Sequence, residues 1–186
     1  MTTDALTITR AQPADLEVLL AFAERTFRDA YEHLNKPADF KLYCDEAFTP
    51  ERFQSEMGNP HSAFWLAHIE NLSAEASAKE GQLVAYIKLN FDRCPPELEG
   101  KKTVQVERIY VDAPFQGRRI GEKLLDFAYE QARAAGAEWL WLSVWQANPP
   151  AVRFYERCGY EICGTDLFQL GNDPQLDWVV RKKVTA

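Results

Sequence analysis

Between Val106 and Gly121 the chain reads Val-Glu-Arg-Ile-Tyr-Val-Asp-Ala-Pro-Phe-Gln-Gly-Arg-Arg-Ile-Gly. A strand-like run leaves through a proline turn, enters a loop holding Gly117 and Gly121, and a helical pattern begins there. The first amides of a helix lack intrahelical acceptors, and the helix dipole adds about half a positive charge at that end. Such a junction binds anions, and glycines let a phosphate approach the backbone with no Cβ in the way. Arg118, Arg119 and Lys123 place three cations at the same end. The same residues also describe a plain strand–turn–helix whose glycines serve packing, and spacing alone does not choose between the two. A P-loop needs Lys followed by Ser or Thr after its glycines, and a dinucleotide fingerprint needs Gly-x-Gly-x-x-Gly. This stretch satisfies neither.

A second block runs from Trp139 to Tyr160: a strand, then Gln146-Ala147-Asn148, then a short helix with Ala151, Phe154 and Tyr155, closed by Gly159-Tyr160. Metal chemistry is not indicated. Cys44, Cys94, Cys158 and Cys163 lack CxxC spacing and a nearby His pair, and read as free, partly buried thiols. His33, His61 and His68 are scattered and read as surface or satisfied side chains.

The net charge of −7 is unevenly spread. Residues 1–100 carry 17 Asp or Glu against 9 Lys or Arg, whereas residues 101–186 carry 11 against 12. No concentrated basic face is present, so no nucleic-acid partner is expected. The acidic half favours small cations, or simply serves solubility. No apolar run approaches the ~20 residues of a membrane span, so no membrane partner is expected. Met1–Asp4 lack the basic and apolar blocks of a signal peptide, so a cytoplasmic location is expected.

Hydrophobic periods supply the elements that must hold these blocks. Leu6–Thr9 alternates as a strand, and Leu16, Leu19, Leu20, Ala23 and Phe27 mark a helix from Pro13 to about Glu32. Helices follow over Asp39–Ala47 and from Thr49-Pro50 to the breaker Gly58-Asn59-Pro60. Strands are expected at Ala63–Ile69, Leu83–Phe91, Thr103–Val111, Trp139–Val144, Tyr160–Leu170 and Asp177–Val184. Glu70–Gln82 and Cys94–Gly100 read as surface loops. A long amphipathic helix at about Gly117–Ala135 stops at Gly136, and Pro149–Cys158 forms a short one. Trp139, Trp141 and Trp145 share a strand face and read chiefly as core. The expectation is one α/β domain over residues 1–186, with a mixed sheet.

Taken together, the two blocks resemble the GNAT superfamily of acetyl-CoA-dependent N-acetyltransferases. The family's Arg/Gln-x-x-Gly-x-Gly/Ala motif is met by Gln116-Gly117-Arg118-Arg119-Ile120-Gly121 at its first and last positions, with the common Gly at the second. Arg119 stands where the family usually has Gly. Asn148-x-x-Ala151-x-x-Phe154-Tyr155-x-x-x-Gly159-Tyr160 matches the second signature. Glu107–Val111, Leu142–Trp145, Phe27–Tyr31 and the stretch from Gly171 to Asp177 look like bacterial PaiA-type spermidine/spermine acetyltransferases.

The resemblance implies a mixed, mostly antiparallel sheet of about seven strands, flanked by helices and splayed at its centre. It further implies direct transfer from acetyl-CoA to an amine in a ternary complex, without a metal. Pantetheine would lie along Ile109, Tyr110 and Val111, with a backbone N–H polarising the thioester carbonyl. The loop from Gln116 to Gly121 would hold the pyrophosphate, and Asn148 would bond the cofactor arm or serve only as the turn residue before Pro149. Tyr155 would be the general acid for the leaving thiolate, or an aromatic packed over pantetheine. Glu107 would take the amine's proton, directly or through water, unless it pairs with Arg108 or a lysine. Phe27, Tyr31, Tyr43, Asp29, Glu32, Asp45 and Glu46 would form an acidic, aromatic site for a small cationic amine, or a solvated helix face. A homodimer through the late strands is a further expectation. Acceptors other than a polyamine, and a non-catalytic acyl-CoA sensor, are the competing readings.

Overall fold

A computed structural model describes residues 5–69 and 81–185. Seven strands are β1 (Leu6–Arg10), β2 (Ser62–Ile69), β3 (Gln82–Asn90), β4 (Thr103–Val111), β5 (Trp139–Trp145), β6 (Glu161–Leu170) and β7 (Asp173–Lys183). Five α-helices are α1 (Leu16–Tyr31), α2 (Pro37–Ala47), α3 (Pro50–Gly58), α4 (Ile120–Ala134) and α5 (Pro149–Arg157). The strands form one sheet in the order β1-β2-β3-β4-β5-β7-β6, antiparallel except for β4 beside β5.

Helices cover both faces. Leu124, Leu125, Ala128 and Ala132 on α4 pack against Ile87, Leu89 and Leu140 of the sheet. On the other face, Leu19, Phe22 and Ala23 of α1 and Phe53 of α3 meet Phe64, Leu66 and Tyr86. The alternation of β2 explains the split: Trp65 and Ala67 join the α4 core while Phe64 and Leu66 join the α1 core.

Several boundaries move from their sequence positions for local reasons. α2 starts at Pro37, because a proline at the first helical position gives up only an amide that would be unpaired anyway. α4 starts at Ile120 and not Gly117, because Gly117 (φ 76°) and Arg119 (φ 60°) are left-handed and hold the loop out of helical conformation. β7 starts four residues before Asp177, since Gly171 (φ 59°) turns the chain so that Leu170 pairs with Asp173 and the ladder runs on through Pro174. The loop before β4 contains a 3-10 turn, Pro96–Leu98, pinned by the buried Leu98. The loop expected over Glu70–Gln82 lies outside the described residues for 70–80, and Gln82 opens β3. Cys44 is buried, Cys158 and Cys163 are half-buried, and Cys94 is exposed rather than partly buried. No helix among the described residues is long and apolar enough to cross a membrane.

Candidate active site

The centre of the sheet is parted. β4 pairs with β5 only at Thr103–Trp139, Val104–Leu140 and Gln105–Trp141, although β4 continues to Val111 and β5 to Trp145. β5 stays with β7 along its whole length, so β4 is the strand that departs. The cause is a bulge: Arg108 pairs with Lys88 and Val106 with Leu89, leaving Glu107 as the extra residue. A bulge bends its strand and increases the local twist. The β5-facing edge of β4 beyond Gln105, which includes Ile109, Tyr110 and Val111, has no strand partner.

Two cavities meet at this gap. One, of 250 Å³, is lined by Glu107, Tyr110, Ser143, Trp145, Tyr155 and Asp177 among others. The second, of 620 Å³, runs from Ile109–Val111 past Gln116, Gly117, Arg119 and Gly121 to Asn148 and Tyr155. Tyr31 of α1 borders both and sets its ring edge-on to Tyr110 (6.4 Å) and Trp145 (6.3 Å), so it spans the parted strands.

The larger groove ends at the mouth of α4. The first bond of that helix runs from Lys123 N to Arg119 O, and Arg119 offers no side-chain cap. The amides of Ile120, Gly121 and Glu122 therefore lack intrahelical acceptors. The starts of α3 and α5 are closed by side chains: Thr49 Oγ1 accepts from Arg52 N (3.2 Å) and Asn148 Oδ1 accepts from Ala151 N (3.2 Å), whereas α1 and α2, like α4, carry no side-chain cap. An open helix mouth flanked by Arg119 suits an anion such as a diphosphate. The loop is anchored from both sides. Gln116 Nε2 donates to Val111 O (3.0 Å), and Arg25 clamps Asp112 through two bonds of 2.7 and 3.1 Å.

Individual loop positions now separate by role. Gly121 is a packing glycine, since a Cβ there would stand 3.1 Å from Phe154 Cζ of α5. At Gly117 a Cβ would meet nothing within 4 Å, so its requirement is the left-handed backbone alone. Arg119 shares that conformation, which costs a non-glycine residue about 1–2 kcal/mol and accounts for glycine being usual there. Arg118 leaves the groove to stack over Phe115, 5.1 Å from the ring centre.

Tyr155 lines both cavities, with its ring edge-on to Phe154 and Tyr160. Burial, with Tyr31 adding, pushes its phenol well above the ordinary tyrosine range. It therefore stays protonated at neutral pH. Asn148 Oδ1 caps α5, and the residue borders the groove with its side chain beside the Tyr31 phenol. Burial also raises the Tyr31 phenol.

Glu107 sits in an ion network joining three elements. Lys88 Nζ, itself buried, lies 2.7 Å from Glu107 Oε2 and 2.9 Å from Glu56 Oε2. Arg108 holds Glu56 by two bonds of 3.0 and 3.1 Å and approaches Glu107 Oε1 at 3.4 Å. Asn90 Nδ2 also donates to Glu107. Burial pushes the Glu107 carboxyl up, but Lys88 and Arg108, with the Lys88 and Asn90 hydrogen bonds, outweigh it and hold it below the usual range. Glu107 is thus a fixed negative charge at the gap.

The expected acceptor set is brought together only in part. Phe27 and Tyr31 border the smaller cavity, while Tyr43 and Glu46 line an adjoining one of 420 Å³ that Phe27 and Glu107 share. Phe27 is also a core hub, stacked on Phe40 at 5.4 Å. Asp29, on the wall of the larger groove, pairs with Arg25; Glu32 pairs with Arg28 and Asp45 with Lys41, both on exposed faces. Of the three tryptophans only Trp141 is core; Trp139 stacks with Arg181 and Trp145 faces the cavity. Asp177 and Asp166 were not singled out for the site by the sequence, yet both line it. The signal for Asp177 is faint, an acid at an inward position of a strand that continues Val179-Val180, and Asp166 of β6 gives none. Among the described residues no group of three His, Cys, Asp or Glu is placed to hold a metal ion.

Comparison with known proteins identifies the family. Residues 24–160 match the model of the Acetyltransferase (GNAT) family. An uncharacterized N-acetyltransferase of Lactobacillus delbrueckii subsp. lactis is 29% identical over 94% of this chain and 95% of its own. The streptothricin acetyltransferase of Streptomyces lavendulae is 41% identical over 33% of this chain and 32% of its own. PaiA N-acetyltransferase of Thermoplasma acidophilum, solved with coenzyme A, superposes with a TM-score of 0.70 at 19% identity, covering 96% of this chain and 99% of its own. The chain belongs to the GNAT family of acetyl-CoA-dependent N-acetyltransferases.

Proposed function

We propose that this enzyme is a cytoplasmic, single-domain N-acetyltransferase acting on a small polyamine such as spermidine. One observation carries the reading. The cavity at the parted strands is bordered by Glu107, Asp166 and Asp177, and its one described cation, Arg108, is held by Glu56. An ammonium finds acceptors there in Asp166 and Asp177, beside Glu107, whose charge is shared with Lys88 and Arg108.

In this reading acetyl-CoA supplies the activated acetyl group. Gln116 to Gly121 receive its pyrophosphate, the free edge at Ile109, Tyr110 and Val111 receives its pantetheine arm, and Asn148 holds that arm. Tyr110 contributes backbone only, because its ring is stacked on Tyr86 at 5.6 Å. Arg118 and Arg119 add charge near the mouth without caging it. Glu107 draws the ammonium in, and Phe27 and Tyr31 wall its approach. As a base, Glu107 is handicapped by the cations that keep it ionised. Tyr155 donates toward the leaving sulfur, whose reference pKa is near ~8.5. Much of the acceleration comes from holding both substrates in register.

A second reading keeps the chemistry and changes the acceptor to an aminoglycoside-like antibiotic, favoured by the segment shared with streptothricin acetyltransferase. Thiol release from acetyl-CoA, measured with spermidine, streptothricin and basic peptides, separates them. Turnover of spermidine without turnover of peptides supports the proposal. Streptothricin as the preferred amine moves the assignment to the second reading, and silence on all amines despite coenzyme A binding makes the chain a sensor.

A further inference from the structure

We propose that Asp177 is the catalytic base that takes the proton from the acceptor's ammonium. The inference rests on transfer to an amine, as proposed above, and not on which amine. Asp177 lies on β7 opposite Trp145 of β5 and Asp166 of β6, in the wall of the cavity that also holds Tyr31, Glu107 and Tyr155. It is only 8% exposed, and its Oδ1 is buried without a hydrogen-bond partner among the described residues. A carboxylate left bare in this way is costly unless a donor arrives with a ligand.

Two carboxylates of this site have opposite surroundings. Glu107 is bonded by Lys88, Asn90 and Arg108, all of which stabilise its charge. Asp177 has none of these. The groups facing it are Asp166, whose Oδ2 accepts from Ser143 Oγ at 3.3 Å, the raised Tyr31 phenol from α1, the indole of Trp145, and Gln175 of its own strand. Burial first, and Asp166 second, push the Asp177 carboxyl up to about 7. An acid poised there is ionised for half its time at neutral pH and holds a proton far better than an ordinary aspartate. An arriving ammonium also relieves the repulsion between Asp166 and Asp177.

The step balances. Asp177 takes one proton from the ammonium, and the freed lone pair on nitrogen bonds the acetyl carbonyl carbon. The carbon–sulfur bond breaks with its electron pair on sulfur. Tyr155 gives the sulfur its proton and is re-protonated by the one the nitrogen sheds on becoming an amide. Asp177 returns its own proton to solvent.

The test compares pH–rate profiles of the wild type, Asp177→Asn and Glu107→Gln, using spermidine or whichever amine of the panel the wild type acetylates fastest. Wild-type kcat/KM is expected to rise with unit slope and break near pH 7. Asp177→Asn is expected to lose about 100-fold or more in kcat/KM at pH 7.5. It should also lose the break, climbing instead with the fraction of free amine, while Glu107→Gln keeps the break. Circular dichroism and coenzyme A calorimetry check that the Asn variant folds and binds as the wild type does. A retained break, a loss under threefold, or a change in KM alone overturns the assignment. If the variant does not fold, carbon NMR of the wild-type Asp177 carboxyl decides: a titration midpoint near 7 supports the role, and one below 5 overturns it. A wild type that binds coenzyme A but acetylates no amine overturns both readings, whereas an active wild type with an unaffected variant overturns this one alone.

Discussion

In the proposed reaction Tyr155 gives a proton and Asp177 takes one, and burial raises both groups. A phenol pushed upward cannot act as a base near neutrality, which fits the donor role proposed for it. Tyr155→Phe keeps the ring and removes the proton; kcat is expected to fall about 100-fold while coenzyme A affinity stays within about twofold. Steady-state kinetics and calorimetry check this, and an unchanged kcat removes Tyr155 from the reaction. Asp177 makes a second prediction, read in stability. Its folded pKa of about 7 lies above the ordinary aspartate value of ~3.9. Its contribution is therefore complete below about pH 4 and lost as pH rises through 7. The melting temperature of Asp177→Asn minus that of the wild type is expected to grow between pH 5 and pH 8, by a few degrees. A constant difference would mean that the carboxyl does not titrate in that window.

At the scale of elements, the bulge in β4 and the ion network beside it act together. Glu56 on α3, Lys88 on β3 and Arg108 on β4 fix the strand just where it leaves β5. Glu56→Ala leaves Lys88 and Arg108 short of an anion in a largely buried place. It is expected to lower stability by about 3 kcal/mol in urea denaturation. Gly117→Ala tests the loop: with nothing nearby to clash, its cost is the left-handed backbone, about 1–2 kcal/mol, with weaker coenzyme A binding as the loop shifts. Sequence periodicity located β4 to the residue, α4 to its C-terminal stop, and the glycine loop between them. It could not locate what long-range pairing decides. That Glu107 faces Lys88 depends on the register of β3 against β4, and that Asp177 faces Asp166 depends on a hairpin whose Pro174 breaks the strand pattern. The left-handed backbone at Arg119, which explains why glycine is usual there, is likewise set by the loop and not by a pattern in the sequence.

Over the whole molecule, charge and architecture point the same way. Residues 16–58, which form α1, α2 and α3 over one face of the sheet, carry nine Asp or Glu against five Lys or Arg. The cavity at the gap is bordered by α1, and the one adjoining it by α1, α2 and α3. A multiply charged cation is steered by such a field, and salt weakens the steering over a Debye length of about 8–10 Å. kcat/KM for spermidine is expected to fall several-fold between 50 and 300 mM sodium chloride, and a salt-independent value would argue for an uncharged acceptor. All of this depends on a diphosphate at the open mouth of α4 and an acyl arm between β4 and β5. Titration calorimetry of the wild-type chain with coenzyme A tests that directly. The account predicts saturable one-to-one binding with a Kd in the micromolar range; no heat at millimolar coenzyme A, from protein shown to be folded, would contradict it.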